Sequence, residues 1–144
     1  MRVILDNEQA KKLIKEAISA RNFAYVPYSG FSVGAALLTK SGKIYTGCNV
    51  ESAAYTPTCC AERTAFFKAV SEGERNFAAI AVVGGNTGEE IQKICPPCGV
   101  CRQVMAEFCN PHEFEVILAE SFEKVEKFKL KDLLPLAFGN ENLV

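Results

Sequence analysis

Phe77-Ala78-Ala79-Ile80-Ala81-Val82-Val83-Gly84 is the stretch that decides the fold. It carries no charge and is short for a helix, so it reads as a strand buried on both faces. Such a strand needs helical cover. Upstream, the pattern predicts a helix from near Cys60 to about Glu72, stopped by Gly73. Downstream, a polar loop at Gly85–Ile94 leads to a third helix that begins near Cys98 and ends before Pro111. Farther out, Ser32–Thr39 and Lys43–Asn49 read as strands joined by the turn Lys40-Ser41-Gly42-Lys43. Phe114–Ala119 and Val125–Leu130 read as two more strands, followed by a short helical turn at Asp132–Leu134. Asn7 is a fitting cap for a first helix with Ala10, Leu13, Ile14, Ala17 and Ile18 on one face. The resulting order is helix, hairpin, helix, strand, helix, strand, strand. It implies one α/β domain over residues 1–144, a mixed sheet with helices packed on its faces.

The 144 residues suit a single core. Hydrophobic residues make up 49% and charged residues 23%, which excludes a disordered chain. The formal net charge is −1 and no basic stripe is visible, so nucleic acid is not the expected partner. Lys124–Lys131, the densest basic stretch, is broken by Glu126 and reads as a solvated face. No apolar run approaches the ~18 residues of a membrane span. Met1–Lys15 has no signal-peptide core, and the expected location is the cytoplasm. Seven cysteines without such a signal read as thiols rather than as a disulfide framework.

Three of those thiols have ligand-like placing. Cys60-Ala61-Glu62-Arg63 opens one predicted helix and Pro97-Cys98-Gly99-Val100-Cys101 opens another. Cys98 and Cys101 fall on one side of a first turn, and Cys60 can join them from the second helix. Three sulfurs leave a tetrahedral zinc one open position, the pattern of a catalytic site. Helix N-termini also favour the ionised thiolates. Cys95 makes an overlapping pair with Cys98, but Pro96 and Pro97 force extended backbone between them, so Cys95 is a bystander near the site. Adjacent helical residues diverge by ~100°, so only one of Cys59 and Cys60 faces the metal. The spacing to Glu62 selects Cys60. Cys48 and Cys109 are expected to be small buried residues, and His112 a surface residue.

Together, Asn49-Val50-Glu51, Ala54-Tyr55, Cys60-Ala61-Glu62-Arg63 and Pro97-Cys98-Gly99-Val100-Cys101-Arg102-Gln103 resemble the signature of the small homotetrameric cytidine deaminases. The likeness runs from Pro27-Tyr28-Ser29-Gly30-Phe31 to Leu133-Leu134-Pro135-Leu136-Ala137-Phe138. It implies a three-layer α-β-α fold with a mixed sheet of about five strands, and one Zn²⁺ per subunit. It further implies a homotetramer with sites at subunit boundaries, and a small nucleoside as substrate. The implied reaction is hydrolysis of cytidine and 2′-deoxycytidine to the uridines and ammonia, a step of pyrimidine salvage.

Within that resemblance Cys60, Cys98 and Cys101 bind zinc, and Glu62 is catalytic. Glu62 takes a proton from metal-bound water and delivers protons to N3 of the base and then to the departing amine. Three thiolates on a dication leave a net negative site. Arg63, beside the Cys60 turn, can draw charge from the sulfurs. Asn49 and Glu51, read as ending a strand, match the family's ribose contacts, and Ala61 matches a further substrate contact. Phe31 resembles the aromatic wall of the pyrimidine pocket. Phe138 resembles the residue that a neighbouring subunit places over the base, and Tyr55 is expected near a subunit boundary. Ser52 stands where the family often has asparagine, while Cys59 and Cys95 add unusual thiols.

Two other functions fit parts of the pattern. One is a deaminase of another aminopyrimidine nucleoside, such as blasticidin S. The other is a non-catalytic zinc-stabilised binding module, which needs a fourth ligand such as Cys59, Cys95 or Cys48.

Overall fold

The computed structural model describes residues 5–143, so the reading of Met1–Lys15 is covered only from Leu5 onward. Helix α1 (Asn7–Arg21) leads into strands β1 (Phe31–Thr39) and β2 (Ile44–Cys48). Helix α2 (Ala61–Ser71), strand β3 (Phe77–Asn86), helix α3 (Gly99–Phe108) and strands β4 (Glu115–Ala119) and β5 (Val125–Lys129) follow. A single helical turn, α4 (Leu130–Leu133), and a 3₁₀ turn at Asn140–Asn142 complete the described residues.

The five strands form one sheet in the order β2-β1-β3-β4-β5. β1 is antiparallel to β2 and to β3, β3 is parallel to β4, and β5 is antiparallel to β4. It follows that β2 and β3 run the same way, with α2 as their crossover, while α3 crosses from β3 to β4. Both crossovers step across the sheet in one direction. Because such connections are right-handed, α2 and α3 fall on the same face.

Strand alternation then sorts the core into two faces. Ala35, Leu37, Ile80, Val82, Val116 and Leu118 pack with Ala61, Ala65, Phe66 and Ala69 of α2 and with Cys101 and Met105 of α3. Ala36, Leu38, Ala79, Ala81, Val83, Ile117 and Ala119 pack with Ala10, Leu13, Ile14 and Ala17 of α1. The architecture is therefore α-β-α in three layers, and β3 is buried along Phe77–Gly84 as its composition requires. Two glycines let the helices come close. A Cβ on Gly34 would lie 1.9 Å from the Ala17 carbonyl oxygen, and one on Gly47 would lie 2.4 Å from the Ala61 carbonyl oxygen. Gly47 thus sets the distance between β2 and the first turn of α2, where the chemistry-bearing residues begin.

Several element ends differ from the sequence reading. Asp6, not Asn7, caps α1: its side chain accepts from the Gln9 N–H while Gln9 returns a bond to the Asp6 N–H, a reciprocal box that Asn7 cannot form from inside the helix. β2 stops at Cys48, so Asn49 and Glu51 lie beyond the strand. The last turn of helix begins at Leu130 rather than at Asp132, because Leu130 turns inward to the core as β5 ends. Cys48 is half-buried, not fully buried, being at the end of an edge strand; Cys109 is buried and His112 exposed as expected.

Candidate active site

A crossover helix starts at the carboxyl end of the strand it follows, and β2 and β3 are parallel, so α2 and α3 start at the same end of the sheet. Here the starts of α2 and α3 converge. Cys60 and Cys98 are the N-caps of the two helices, both with extended backbone. Cys101, on the first turn of α3, is buried. The Sγ atoms of Cys60, Cys98 and Cys101 all lie within 4.8 Å of one another. Cys60 Sγ is 3.8 Å from Cys98 Sγ. A tetrahedral ion with Zn–S bonds of about 2.3 Å requires sulfurs about 3.8 Å apart, so the donor set and its spacing suit zinc. Among the described residues the group that could share one ion consists of these three thiols. Cys48, Cys59 and Cys95 do not belong to it, which removes the fourth protein ligand that a closed structural site would need.

The surroundings favour a thiolate at Cys60. Cys98 Sγ accepts from the Cys101 N–H at 3.5 Å, as an N-cap side chain does. The Cys60 thiol is held well below its ordinary value by a hydrogen bond from Cys101, helped by Arg63 and Cys98. Cys101 is pushed up in turn, since it keeps the proton that it donates to Cys60. Arg63 Nη2 donates to Cys60 Sγ and to the Thr58 carbonyl, each at 3.4 Å. Its Nε is buried without a partner, an unsatisfied donor beside the thiol cluster. That side chain is placed to compensate the negative charge of three thiolates.

Glu62, on the first turn of α2, is 4% exposed and is the one buried charged residue among the described residues. Burial pushes its carboxyl above the usual range, with the Cys60 sulfur adding to the shift. A carboxyl raised in this way both accepts and releases protons nearer neutral pH. Cys95 also lies near this centre: burial, the Glu62 carboxylate and the Cys60 sulfur raise it to about 11. It has no ligand role in the cluster, as Pro96 and Pro97 led us to expect.

Phe31 opens β1 at the same end of the sheet. A Cβ built on Gly84 would meet both Cys95 Sγ at 2.8 Å and Phe31 Cε1 at 3.0 Å, so the Phe31 ring and the Cys95 thiol come together over Gly84. The ring is half open to solvent, as a pocket wall must be. Ala61 is wholly buried and is the first residue of α2. It stands between the thiol of Cys60 and the carboxyl of Glu62 at the helix start, where backbone N–H groups lack helical partners.

Asn49 and Glu51 are engaged in a way the sequence did not reveal. Asn49 Oδ1 accepts from the Val33 N–H and its Nδ2 donates to the Phe31 carbonyl, both at 2.9 Å. Glu51 Oε1 accepts from the N–H groups of Tyr28 and Ser29 at 3.0 and 3.1 Å, and its Oε2 accepts from the Ser29 hydroxyl at 2.5 Å. Both side chains therefore clasp the loop that delivers Phe31. The Ser29 hydroxyl holds the Glu51 carboxyl below its ordinary value. A carboxylate has about four acceptor positions, so one remains for a hydroxyl of a ligand. Tyr55 is exposed, with a left-handed φ of 60°, and stands edge-on to Tyr28 at 6.3 Å between ring centroids. Phe138 is exposed.

A family model described as the cytidine and deoxycytidylate deaminase zinc-binding region matches residues 7–116. This chain belongs to the cytidine and deoxycytidylate deaminase family. A cytidine deaminase from Sporosarcina psychrophila is 53% identical over 133 residues, covering 92% of this chain and 93% of the relative. The crystal structure of cytidine deaminase from Burkholderia pseudomallei superimposes with a TM-score of 0.79 at 50% identity, covering 88% of this chain and 97% of that one. A more distant relative, a blasticidin-S deaminase from Bacillus cereus, is 33% identical over 109 residues, covering 74% of this chain and 76% of the relative. Zinc is the cofactor that the cytidine and deoxycytidylate deaminase family and this thiol cluster imply.

Ser29 and Arg102 have roles that their motifs do not show. Ser29 is the second contact that fixes Glu51. Arg102 donates from Nε to the Pro97 carbonyl at 2.8 Å and from Nη1 to the Leu133 carbonyl at 2.7 Å, so it braces the loop just before Cys98. An arginine directly after a ligand pair is the signal that could have found the second of these.

Proposed function

We propose that this chain is an enzyme that hydrolyses the 4-amino group of cytidine and 2′-deoxycytidine, releasing ammonia and the corresponding uridine. The observation that carries this reading is a three-thiol centre with one buried carboxylate, Glu62, beside it and, among the described residues, no fourth thiol within the cluster. The close relatives named above point to the same substrate.

In this reading Cys60, Cys98 and Cys101 hold zinc. Bound zinc lowers the pKa of a coordinated water, so that a nucleophile is available near neutral pH. Glu62 would take one proton of the attacking water and place it on N3 of the cytosine ring while the water oxygen forms a bond to C4. It would then carry the second proton of that oxygen to the 4-amino group, so that the C4–N bond breaks, ammonia leaves and C4 keeps the oxygen as the carbonyl of the uridine. Its raised carboxyl suits a group that must hold and release protons in turn. Arg63 draws charge from Cys60 and so offsets the weakening of the metal by three thiolates.

Phe31 forms one wall for the base, and Ala61 contributes its backbone. Asn49 and Glu51 combine two tasks, clasping the Phe31 loop and presenting their remaining hydrogen-bonding positions to the sugar hydroxyls. The carboxylate of Glu51 suits a neutral sugar better than a phosphate. Tyr55 and Phe138 are surface aromatics that we assign to the contacts of a homotetramer, with Phe138 reaching the base pocket of the adjoining subunit. One domain over residues 1–144, acting in the cytoplasm in pyrimidine salvage, completes the reading. Among the described residues no helix is long and apolar enough to cross a membrane.

The test is ammonia release from cytidine by the purified protein, with bound zinc counted in the same sample. Turnover with about one zinc per chain is expected. The blasticidin-S deaminase relative defines the competing substrate; activity confined to blasticidin S would replace cytidine in the proposal.

A further inference from the structure

Helix α3 does more than carry Cys98 and Cys101, for its outer face is tied to the C-terminal segment. Gln103 Nε2 donates to the Phe138 carbonyl at 2.8 Å. Arg102 Nη1 holds the Leu133 carbonyl at 2.7 Å. Asn140 Nδ2 reaches Glu107 Oε2, farther along α3, at 3.5 Å. Between the first two anchors Leu136 is fully exposed and has a left-handed φ of 50°, so local packing does not dictate the path of this segment. The Phe138 ring is 61% exposed and gains little from its own subunit. Its placement depends on the backbone to which it is attached, and Gln103 fixes that backbone.

We propose that Gln103 is a positioning residue for the reaction: its side-chain amide sets the Phe138 ring for the base pocket of the adjoining subunit. The helix that holds two metal ligands in one subunit thereby shapes the nucleoside pocket of the next. This inference rests on the assignment of Phe138 to a neighbouring site made above. Gln103 touches neither the metal centre nor the substrate, so its loss weakens nucleoside binding without removing a catalytic group. Such a change raises KM much more than it lowers kcat.

The experiment is a double-mutant cycle on the full-length zinc-loaded protein with cytidine as substrate. Gln103→Glu keeps size and removes the donor; Gln103→Met serves as the second variant if the first does not assemble. Each is expected to bind zinc as the parent does and to raise KM between about two- and tenfold, the range that one net hydrogen bond supplies. Phe138→Ala is expected to raise KM as well, and the double variant should be no worse than Phe138→Ala alone. If Phe138→Ala raises KM while the Gln103 variants do not, or if the two effects simply add, the role of Gln103 is refuted and that of Phe138 stands. If Phe138→Ala leaves KM unchanged, the assignment of Phe138 fails and the inference fails with it.

Discussion

The Sγ atoms of Cys60 and Cys98 lie 3.8 Å apart although they cap two different helices. The right-handed crossovers put the two helix starts on one face, and the thiols converge because both cap positions point to the same crevice. Cys98→Ser tests this centre directly. Serine retains N-capping ability but is a poor zinc ligand, so the expected result is zinc well below one per chain and a lowered melting temperature. Full zinc in that variant, measured by atomic emission, would contradict the assignment of the ligands.

Arg63 contacts Cys60 from the same turn. Replacing it with glutamine removes the charge that offsets three thiolates. Groups behind a metal ligand typically contribute 10- to 100-fold in metal affinity or activity, so Arg63→Gln should lose about that much in kcat or in zinc affinity. Lysine should rescue poorly, since an ammonium lacks the planar fork. A glutamine variant with unaltered kcat and zinc affinity would show that the contact is incidental.

Ser29 and Glu51 give a pH prediction whose sign is fixed by hydrogen bonding. The Ser29 hydroxyl lowers the Glu51 carboxyl from its ordinary value of 4.5. A group whose folded value is depressed adds stability above the unfolded value, and that contribution is lost as pH falls through the folded value. The gap in melting temperature between the parent and Ser29→Ala should therefore be full at neutral pH and narrow as the pH is taken below about 4.5, leaving the part due to the bond that Ser29 Oγ accepts from the Phe31 N–H. A gap independent of pH would mean that the hydroxyl does not stabilise the ionised carboxylate.

Gly47 tests how the fold places the site. A methyl group there would meet the Ala61 carbonyl oxygen at 2.4 Å and the Ala65 nitrogen at 2.6 Å, both backbone atoms. Gly47→Ala must push the start of α2 outward, and overpacking of this kind costs typically 1–3 kcal/mol. Denaturant unfolding should show that loss together with weaker zinc retention, because Cys60 caps the displaced helix. Unchanged stability would mean that α2 has slack against β2.

The layers and the metal ligands were legible because their signals are local. The Phe77–Gly84 run is apolar on both faces, and Cys60 with Glu62 and Cys98 with Cys101 lie within single helical turns. The cap of α1 was misplaced by one residue, since Asp6 and Asn7 are equally able to cap and only the pairing with Gln9 decides. For Asn49 and Glu51 the sequence shows a place at a strand end and not their bonds to Val33, Phe31, Tyr28 and Ser29. Those partners lie 16 to 23 residues away, beyond the reach of any periodicity. The same holds for Arg21, which secures the carbonyls of Ser32, Asn86 and Glu89 from the end of α1. Polar side chains that organise loops leave no pattern of their own in the sequence; only the folded chain brings their partners within reach.

The central claim is that Glu62 moves the protons at a zinc site held by three thiolates. Its most direct test compares the parent with Glu62→Gln, measuring bound zinc and ammonia release from cytidine on the same samples. Glutamine preserves size and can sit in the same buried place, so zinc should remain at the level of the parent. Turnover should fall by about 100- to 10,000-fold, the contribution of a positioned acid–base group. A Glu62→Gln protein that keeps its zinc and still deaminates cytidine at the parental rate would contradict the account.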